Sequence, residues 1–211
     1  MGKKRTPSSK RWIAEHEADH YVQEARRLGY RSRAIFKLKE IQERDHILKP
    51  GMVVVDLGAA PGGWSQVVAK RVGAAEGRGH VVAIDVLDML AIPGVQFVQL
   101  DFLDPSAPDV IKAMLGGPAD LVLSDMAANA TGHRATDHIK IMALAEAAAE
   151  MAHDVLKPGG AFLCKVLQGG TEATLLAQLK KDFASVKHVK PAASRADSAE
   201  LYLLARGFRA R

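Results

Sequence analysis

Four short apolar runs of this chain end on an aspartate, and a fifth carries a lysine near its end. Met52–Val55 leads into Asp56, His80–Ile84 into Asp85, Val95–Leu100 into Asp101, and Leu121–Ser124 into Asp125. Ala161–Val166 holds Lys165 directly after Cys164. Strands this continuously apolar must be covered on both faces, which is the habit of parallel sheets flanked by helices. Helical spacing fills the intervals: Glu15–Leu28, Ser32–Arg44 with its apolar stripe Ala34, Ile35, Leu38 and Ile41, then Ser65–Val72, Ser106–Leu115, His138–Leu156 and Glu172–Lys181. Lys157-Pro158-Gly159-Gly160 reads as the stop of the longest helix. Two closing strands, Ser185–Lys190 and Glu200–Ala205, complete a mostly parallel seven-stranded α/β sheet with helices on both faces. In an open sheet of this kind ligands sit at the carboxyl ends of the strands, where all five charges fall.

The 211 residues suit one domain, expected over 30–211, behind a basic N-terminal extension at 1–29. No apolar stretch approaches the roughly 18–20 residues that span a bilayer, so no membrane partner is expected. Met1-Gly2-Lys3-Lys4-Arg5 is followed by no apolar segment and does not read as a secretory signal. The single cysteine, Cys164, excludes an intramolecular disulfide framework and fits a cytoplasmic, reducing location. With apolar neighbours mid-strand, it reads as a small core residue rather than an activated thiolate.

The net charge of +5 is unevenly spread. Residues 1–33 carry nine Lys/Arg against four acids and residues 177–211 eight against three, around a centre with twelve bases and seventeen acids. Basic ends about an acidic middle suit a phosphate backbone. Lys10, Arg11, Arg31, Arg33 and Arg195 are the expected RNA contacts, with residues 1–11 reading equally well as a solubilising tail. No protein partner is required by any of this, and a monomer is expected.

Asp56-Leu57-Gly58-Ala59-Ala60-Pro61-Gly62-Gly63-Trp64 is a glycine-rich turn between strand and helix. It fails the G-x-G-x-x-G spacing of a dinucleotide site, and Pro61 removes a backbone donor. Asp56 beside the turn disfavours a pyrophosphate and suits a cationic ligand, such as the ammonium and sulfonium of S-adenosylmethionine. Gly58, Gly62 and Gly63 let that ligand approach the backbone. Asp85 is placed to accept its ribose hydroxyls and Asp101 its adenine amino group. Trp64 either covers the ligand or packs under the helix.

Lys37, Asp125, Lys165 and Glu200 are charges set in or beside segments that want burial. Isolated buried ions are costly, so the economical reading is that they meet. Two lysines and two carboxylates beside a methyl donor suit transfer to a ribose hydroxyl, a poor nucleophile that must be oriented and lose its proton. Lys165 is then either the proton acceptor, its pKa lowered by burial and by Lys37, or a charged residue that aims the hydroxyl.

Arg31-Ser32-Arg33-Ala34-Ile35-Phe36-Lys37-Leu38, the stretch Val54–Ser65, Ser124-Asp125-Met126-Ala127, Lys165-Val166 and the stretch Pro191–Glu200 closely resemble the FtsJ/RrmJ (RlmE) family of ribosomal RNA 2′-O-methyltransferases. The resemblance runs from about Tyr30 to Ala205. It implies a Rossmann-like S-adenosylmethionine-dependent fold and a Lys-Asp-Lys-Glu catalytic set at Lys37, Asp125, Lys165 and Glu200. It implies cofactor contacts at Gly62, Trp64, Asp85, Asp101 and Asp125. The implied substrate is a uridine of large-subunit ribosomal RNA within the assembled particle. Two departures stand out: Ala128 replaces a family proline after Met126-Ala127, and Ala74–Arg78 lengthens the stretch between Asp56 and Asp85. The competing reading is an rRNA-binding assembly factor with a vestigial pocket. The eight histidines show no metal-ligand spacing, and no metal is expected.

Overall fold

The computed structural model describes residues 18–127, 133–168, 173–195 and 198–210. The first two helices, α1 (His20–Arg27) and α2 (Ile35–Asp45), precede the sheet. Then strands and helices alternate: β1 (Val53–Leu57), α3 (Gly63–Val72), β2 (His80–Asp85), β3 (Val95–Gln99), α4 (Ala107–Leu115), β4 (Ala119–Ser124), α5 (Arg134–Val155), β5 (Leu156–Leu167), α6 (Ala173–Asp182), β6 (Phe183–Val189) and β7 (Glu200–Phe208). The sheet order is β3-β2-β1-β4-β5-β7-β6. The pairings from β3 to β5 are parallel, and β7 runs antiparallel to both its neighbours.

Strand alternation sorts the core into two layers. Val55, Leu57, Val82, Ile84, Val122 and Phe162 face α4, α5 and α6. Val54, Val81, Leu121, Leu123, Leu163 and Tyr202 face α2 and α3, meeting Ile35, Leu38, Ile41 and Val68. The same parity puts Asp56, Lys165 and Glu200 on the second face, and Asp125 continues it beyond β4. The antiparallel insertion of β7 matters for this set. Leu167 at the end of β5 pairs with Glu200 at the start of β7, so Glu200 arrives where Lys165 lies.

Two expectations need revision. The long helix does stop just before Lys157-Pro158-Gly159-Gly160, at Val155, but the fifth strand starts earlier than expected, at Leu156, so Pro158-Gly159-Gly160 does not precede it. The stretch lies within the span of β5, but Leu156 pairs with Ala119 and Ala161 with Leu121, so residues 157–160 bulge from β5 opposite Asp120 alone. The third strand ends at Gln99, so Asp101 sits in the following loop, where its Oδ1 accepts from the Leu103 amide at 2.9 Å. The Ala74–Arg78 stretch is a turn after α3, with Ala74 buried and the Glu76–Arg78 pair exposed.

Helix α1 is docked rather than free: Val22 and Ala25 are buried, and the Tyr21 ring lies 5.2 Å from that of Phe36. No described helix is long and apolar enough to cross a membrane. Phe162, fully buried in β5 between α5 and the sheet centre, is among the largest core side chains. Replacing it (Phe162→Ala) is expected to cost about 3–5 kcal/mol, read from denaturant unfolding. A loss under about 1 kcal/mol would show that this layer is not the closely packed one described.

Candidate active site

Lys165 has 5% of its side chain exposed, and three acceptors surround its ammonium. Its Nζ donates to the Asp125 carbonyl oxygen at 2.9 Å and lies 3.2 Å from Asp125 Oδ1 and 3.6 Å from Glu200 Oε1. Lys37 donates to the other oxygen, Glu200 Oε2, at 3.1 Å. Asp125, Lys165, Glu200 and Lys37 therefore form one chain of alternating charge, drawn from four separate elements. Burial pulls the Lys165 pKa down, but Asp125 and Glu200 outweigh it and leave it above the ordinary lysine value. Burial likewise opposes the Glu200 charge, yet Lys165 and Lys37 hold its pKa below the usual carboxylate range. In the ligand-free site the nearby carboxylates thus favour the ammonium, which supports the second of the two roles left open for Lys165.

Tyr202 is the site residue that sequence reasoning missed. It pairs directly across from Lys165, its hydroxyl donates to Asp125 Oδ1 at 2.7 Å, and Lys37 Nζ lies 5.9 Å from its ring centroid. Burial and then the Asp125 charge push its pKa well above the usual phenol value, so it stays a donor. Period two from Glu200 along β7 was the available signal.

Trp64 takes the packing role of its two readings. Its indole is buried, its Nε1 donates to the Ala34 carbonyl at 2.8 Å, and its ring lies 5.7 Å from that of Tyr202. Any ligand contact from this residue is left to its backbone. Gly58 and Gly62 hold φ of +76° and +107°, which side-chain-bearing residues rarely adopt. A Cβ on Gly58 would meet Met126, and one on Gly62 would meet Arg31, Met89 and Ile92 at under 3 Å. Gly63 opens α3 directly behind them.

Asp56 lies beneath this loop, 1% exposed, accepting from the Ser65 hydroxyl at 2.6 Å. Burial, aided by the charges of Asp125 and Asp85, pushes its pKa up to about 7. Asp85 uses each oxygen once already, accepting from the Ala60 amide at 2.9 Å and the Leu87 amide at 2.8 Å. Each oxygen keeps a lone pair for a ligand hydroxyl.

The arginines expected to touch RNA are placed otherwise. Arg31 donates to the carbonyls of Pro61 at 3.2 Å, Leu90 at 2.6 Å and Ala91 at 2.9 Å, which ties the glycine loop to the segment after β2. Arg33 pairs with Asp19 and donates to the Ala193 carbonyl at 2.6 Å. Both guanidinium groups are engaged by the protein itself, Arg33 by a carboxylate and Arg31 by neutral carbonyls alone. Arg195 remains half-exposed, 3.9 Å from Asp19. Lys10 and Arg11 lie outside the described residues, as does Ala128. Among the described residues no three His, Cys, Asp or Glu side chains gather into a metal-binding set. Cys164 is buried, and burial pushes its thiol up to about 12.

A family model for FtsJ-like methyltransferases matches residues 30–208. The chain belongs to that family. Curated relatives are named Ribosomal RNA large subunit methyltransferase E. The one from Azorhizobium caulinodans is 65% identical over 205 residues, covering 97% of this chain and 85% of the relative. That from a Bradyrhizobium strain is 61% identical over 208 residues, with 99% and 90% covered. Among solved structures, a ribosomal RNA methyltransferase from Plasmodium falciparum superposes with a TM-score of 0.77 at 28% identity, covering 86% of this chain and all of that one.

The buried Asp56 has a measurable consequence. An acid whose folded pKa exceeds its ordinary 3.8 stabilises the fold fully below that value. The contribution is lost as pH rises toward about 7. Asp56→Asn is therefore expected to flatten the pH dependence of Tm between those limits in ligand-free protein, and to unfold later than the parent at pH ~8. Parallel curves for the two proteins would refute the burial argument.

Proposed function

We propose that this protein methylates a ribose 2′-hydroxyl, a uridine's, in large-subunit ribosomal RNA, using S-adenosylmethionine and no metal. It would act in the cytoplasm as a monomer on the RNA of the ribosomal particle. The observation that carries the reading is the alternating chain of Asp125, Lys165, Glu200 and Lys37 beside a glycine loop, in a chain 65% identical to a protein named for that class of activity.

The residues present fit S-adenosylmethionine. Gly58 and Gly62 hold the turn in left-handed conformations packed against Met126, Arg31, Met89 and Ile92, which leaves its backbone as the surface a ligand would meet, and the acids around it suit a ligand with ammonium and sulfonium charges. Asp85 and Asp101 would hold the ribose and adenine ends, Asp56 and Asp125 the positively charged one. When bound, the group supplies a methyl activated by its attachment to sulfur.

The chain's own residues do the rest. Lys165, kept as an ammonium, has no lone pair with which to take a proton. It directs an N–H at the incoming hydroxyl oxygen, fixes the direction of that oxygen's remaining lone pair and stabilises the negative charge it acquires. Glu200, 3.6 Å from Lys165, is a carboxylate placed to receive the proton the hydroxyl gives up, with water the other acceptor; Asp125, nearer at 3.2 Å, already accepts from the Tyr202 hydroxyl. Lys37 holds Glu200 ionised for that purpose, and Tyr202 holds Asp125 in register.

Two variants test different parts. Lys165→Met is expected to reduce labelling of large ribosomal subunits from labelled S-adenosylmethionine by about 10²–10³-fold while leaving cofactor affinity within a few-fold. Labelling equal to the parent's would remove Lys165 from the mechanism. Arg31→Met loosens the glycine loop, so a cofactor Kd raised by roughly 10-fold is expected, with RNA affinity unchanged across a salt series. A flattened salt slope for this variant would return Arg31 to the RNA surface.

A further inference from the structure

Phosphate contacts dominate the affinity of nucleic-acid-binding proteins, and Arg31 and Arg33 are held elsewhere. One cluster of cations free to make such contacts lies on the far side of α2. A groove of about 460 Å³ runs between α2 and α3, lined by Tyr30, Lys39, Gln42, Val67, Lys70 and Arg71. Lys70 and Arg71 are exposed in the last turn of α3, and Lys39 Nζ lies 5.5 Å from the Tyr30 ring centroid and 5.8 Å from that of Phe36. Among the described residues none of the three cations forms an ion pair. Glu43, four residues along α2 from Lys39, is not paired with it, and Glu24, which feels the Lys39 charge, is ion-paired with Arg27 instead. The Gln42 amide cannot offer competing charge and is occupied by Leu48, donating to its carbonyl at 3.0 Å and accepting from its N–H at 2.7 Å. The lining thus presents three positive groups, no carboxylate, and a partly exposed aromatic face beside Val67.

We propose that this groove between α2 and α3 binds the phosphodiester backbone of RNA flanking the target nucleotide. Charge complementarity selects a polyanion, and the Tyr30 ring with Val67 suits a sugar or base between phosphates. Its location fits. Helix α3 begins at the glycine loop and reaches Lys70 seven residues later, about 10 Å along its axis. Helix α2 carries Lys37 into the site on one face and Lys39 into the groove on another. A strand that places its ribose at Lys165 can therefore continue over the end of α2 into the groove. The inference rests on RNA being the substrate.

The test is a triple variant of the full chain, Lys39→Gln with Lys70→Gln and Arg71→Gln. Its affinity for transcribed large-subunit ribosomal RNA is measured across a salt series without turnover. Each lost phosphate contact removes about 0.7–0.9 from the slope of log K against log salt, so the slope is expected to fall by roughly two to three. KM for the RNA should rise about 10-fold at ~0.15 M salt, with kcat and cofactor Kd unchanged. Lys180→Gln with Lys181→Gln, removing charge from α6, should leave slope and KM unchanged. An unchanged slope in the triple variant overturns the proposal, as does an equal loss in the α6 control. A KM raised only for intact subunits, with the slope on free RNA unchanged, assigns the groove to an acidic protein surface and also overturns it. If the parent labels no RNA at all, the function reading fails, while the binding comparison still decides the groove.

Discussion

An ammonium with one-twentieth of its side chain exposed is tolerable only where its charge is answered, and Lys165 is answered twice. Removing one partner of a buried pair leaves an uncompensated charge, at a cost of about 3–5 kcal/mol. Asp125 and Glu200 are therefore conditions of each other's placement as much as of Lys165's. The sheet topology makes this possible. A parallel β7 would bring its first residue to the opposite edge; the antiparallel one starts where β5 ends and pairs Lys165 with Tyr202 and Leu167 with Glu200. On one face of such a pair, directly opposed and diagonal side chains lie within reach of one another. Trp64, whose indole is fixed to the Ala34 carbonyl, packs against the Tyr202 ring.

Helix α2 and the segment before it hold the remaining pieces from above. Arg33, Lys37 and Glu40 fall at intervals of four and three residues, which place them on one helical face. All three meet the segment that ends in Glu200. Arg33 donates to the Ala193 carbonyl, Glu40 accepts from the Ala192 amide at 2.6 Å and the Ala193 amide at 3.0 Å, and Lys37 pairs with Glu200 itself. On the other side Arg31 joins the glycine loop to the loop after β2. Basic residues that would serve an RNA surface equally well by composition thus fix the geometry of the two halves of the site. Positioning of this kind reduces the reorganisation needed when reactants meet.

The strands and their terminal charges were legible because each is a local signal: an apolar run followed by an ion. Their convergence was legible by economy, since four ions in apolar surroundings need one another. Parity along β5 and β7 also contained Tyr202, although the pattern alone gives a buried tyrosine no role until its hydroxyl meets Asp125. What escaped was non-local. The partners of Arg31 lie 30, 59 and 60 residues away, and no spacing rule distinguishes a guanidinium aimed at three carbonyls from one aimed at phosphate. The direction of the Lys165 shift depends on whether two carboxylates outweigh burial and a second lysine, a contest of distances. The Pro-Gly-Gly stretch signals a break, and the ladder is indeed interrupted there; that β5 begins again on its near side, with Leu156 opposite Ala119, is a pairing no local reading contains.

The two halves of the site differ in their balance of charge, and this difference carries functional meaning. Around Lys165 positive and negative groups alternate, and the half beside β7 is close to neutral as it stands. Under the glycine loop the acids dominate: Asp56 is buried with only the Ser65 hydroxyl to answer it, and the charges of Asp125 and Asp85 press its pKa further upward. An acid held near pH 7 in this way gains from any cation that approaches, because the cation relieves both the repulsion and the cost of ionisation. A ligand carrying ammonium and sulfonium groups offsets that excess where a phosphate would add to it. The balanced half, by contrast, suits a neutral hydroxyl that must be held without being ionised in advance. The division between donor and acceptor is thus written in which half of the sheet edge has an unanswered charge.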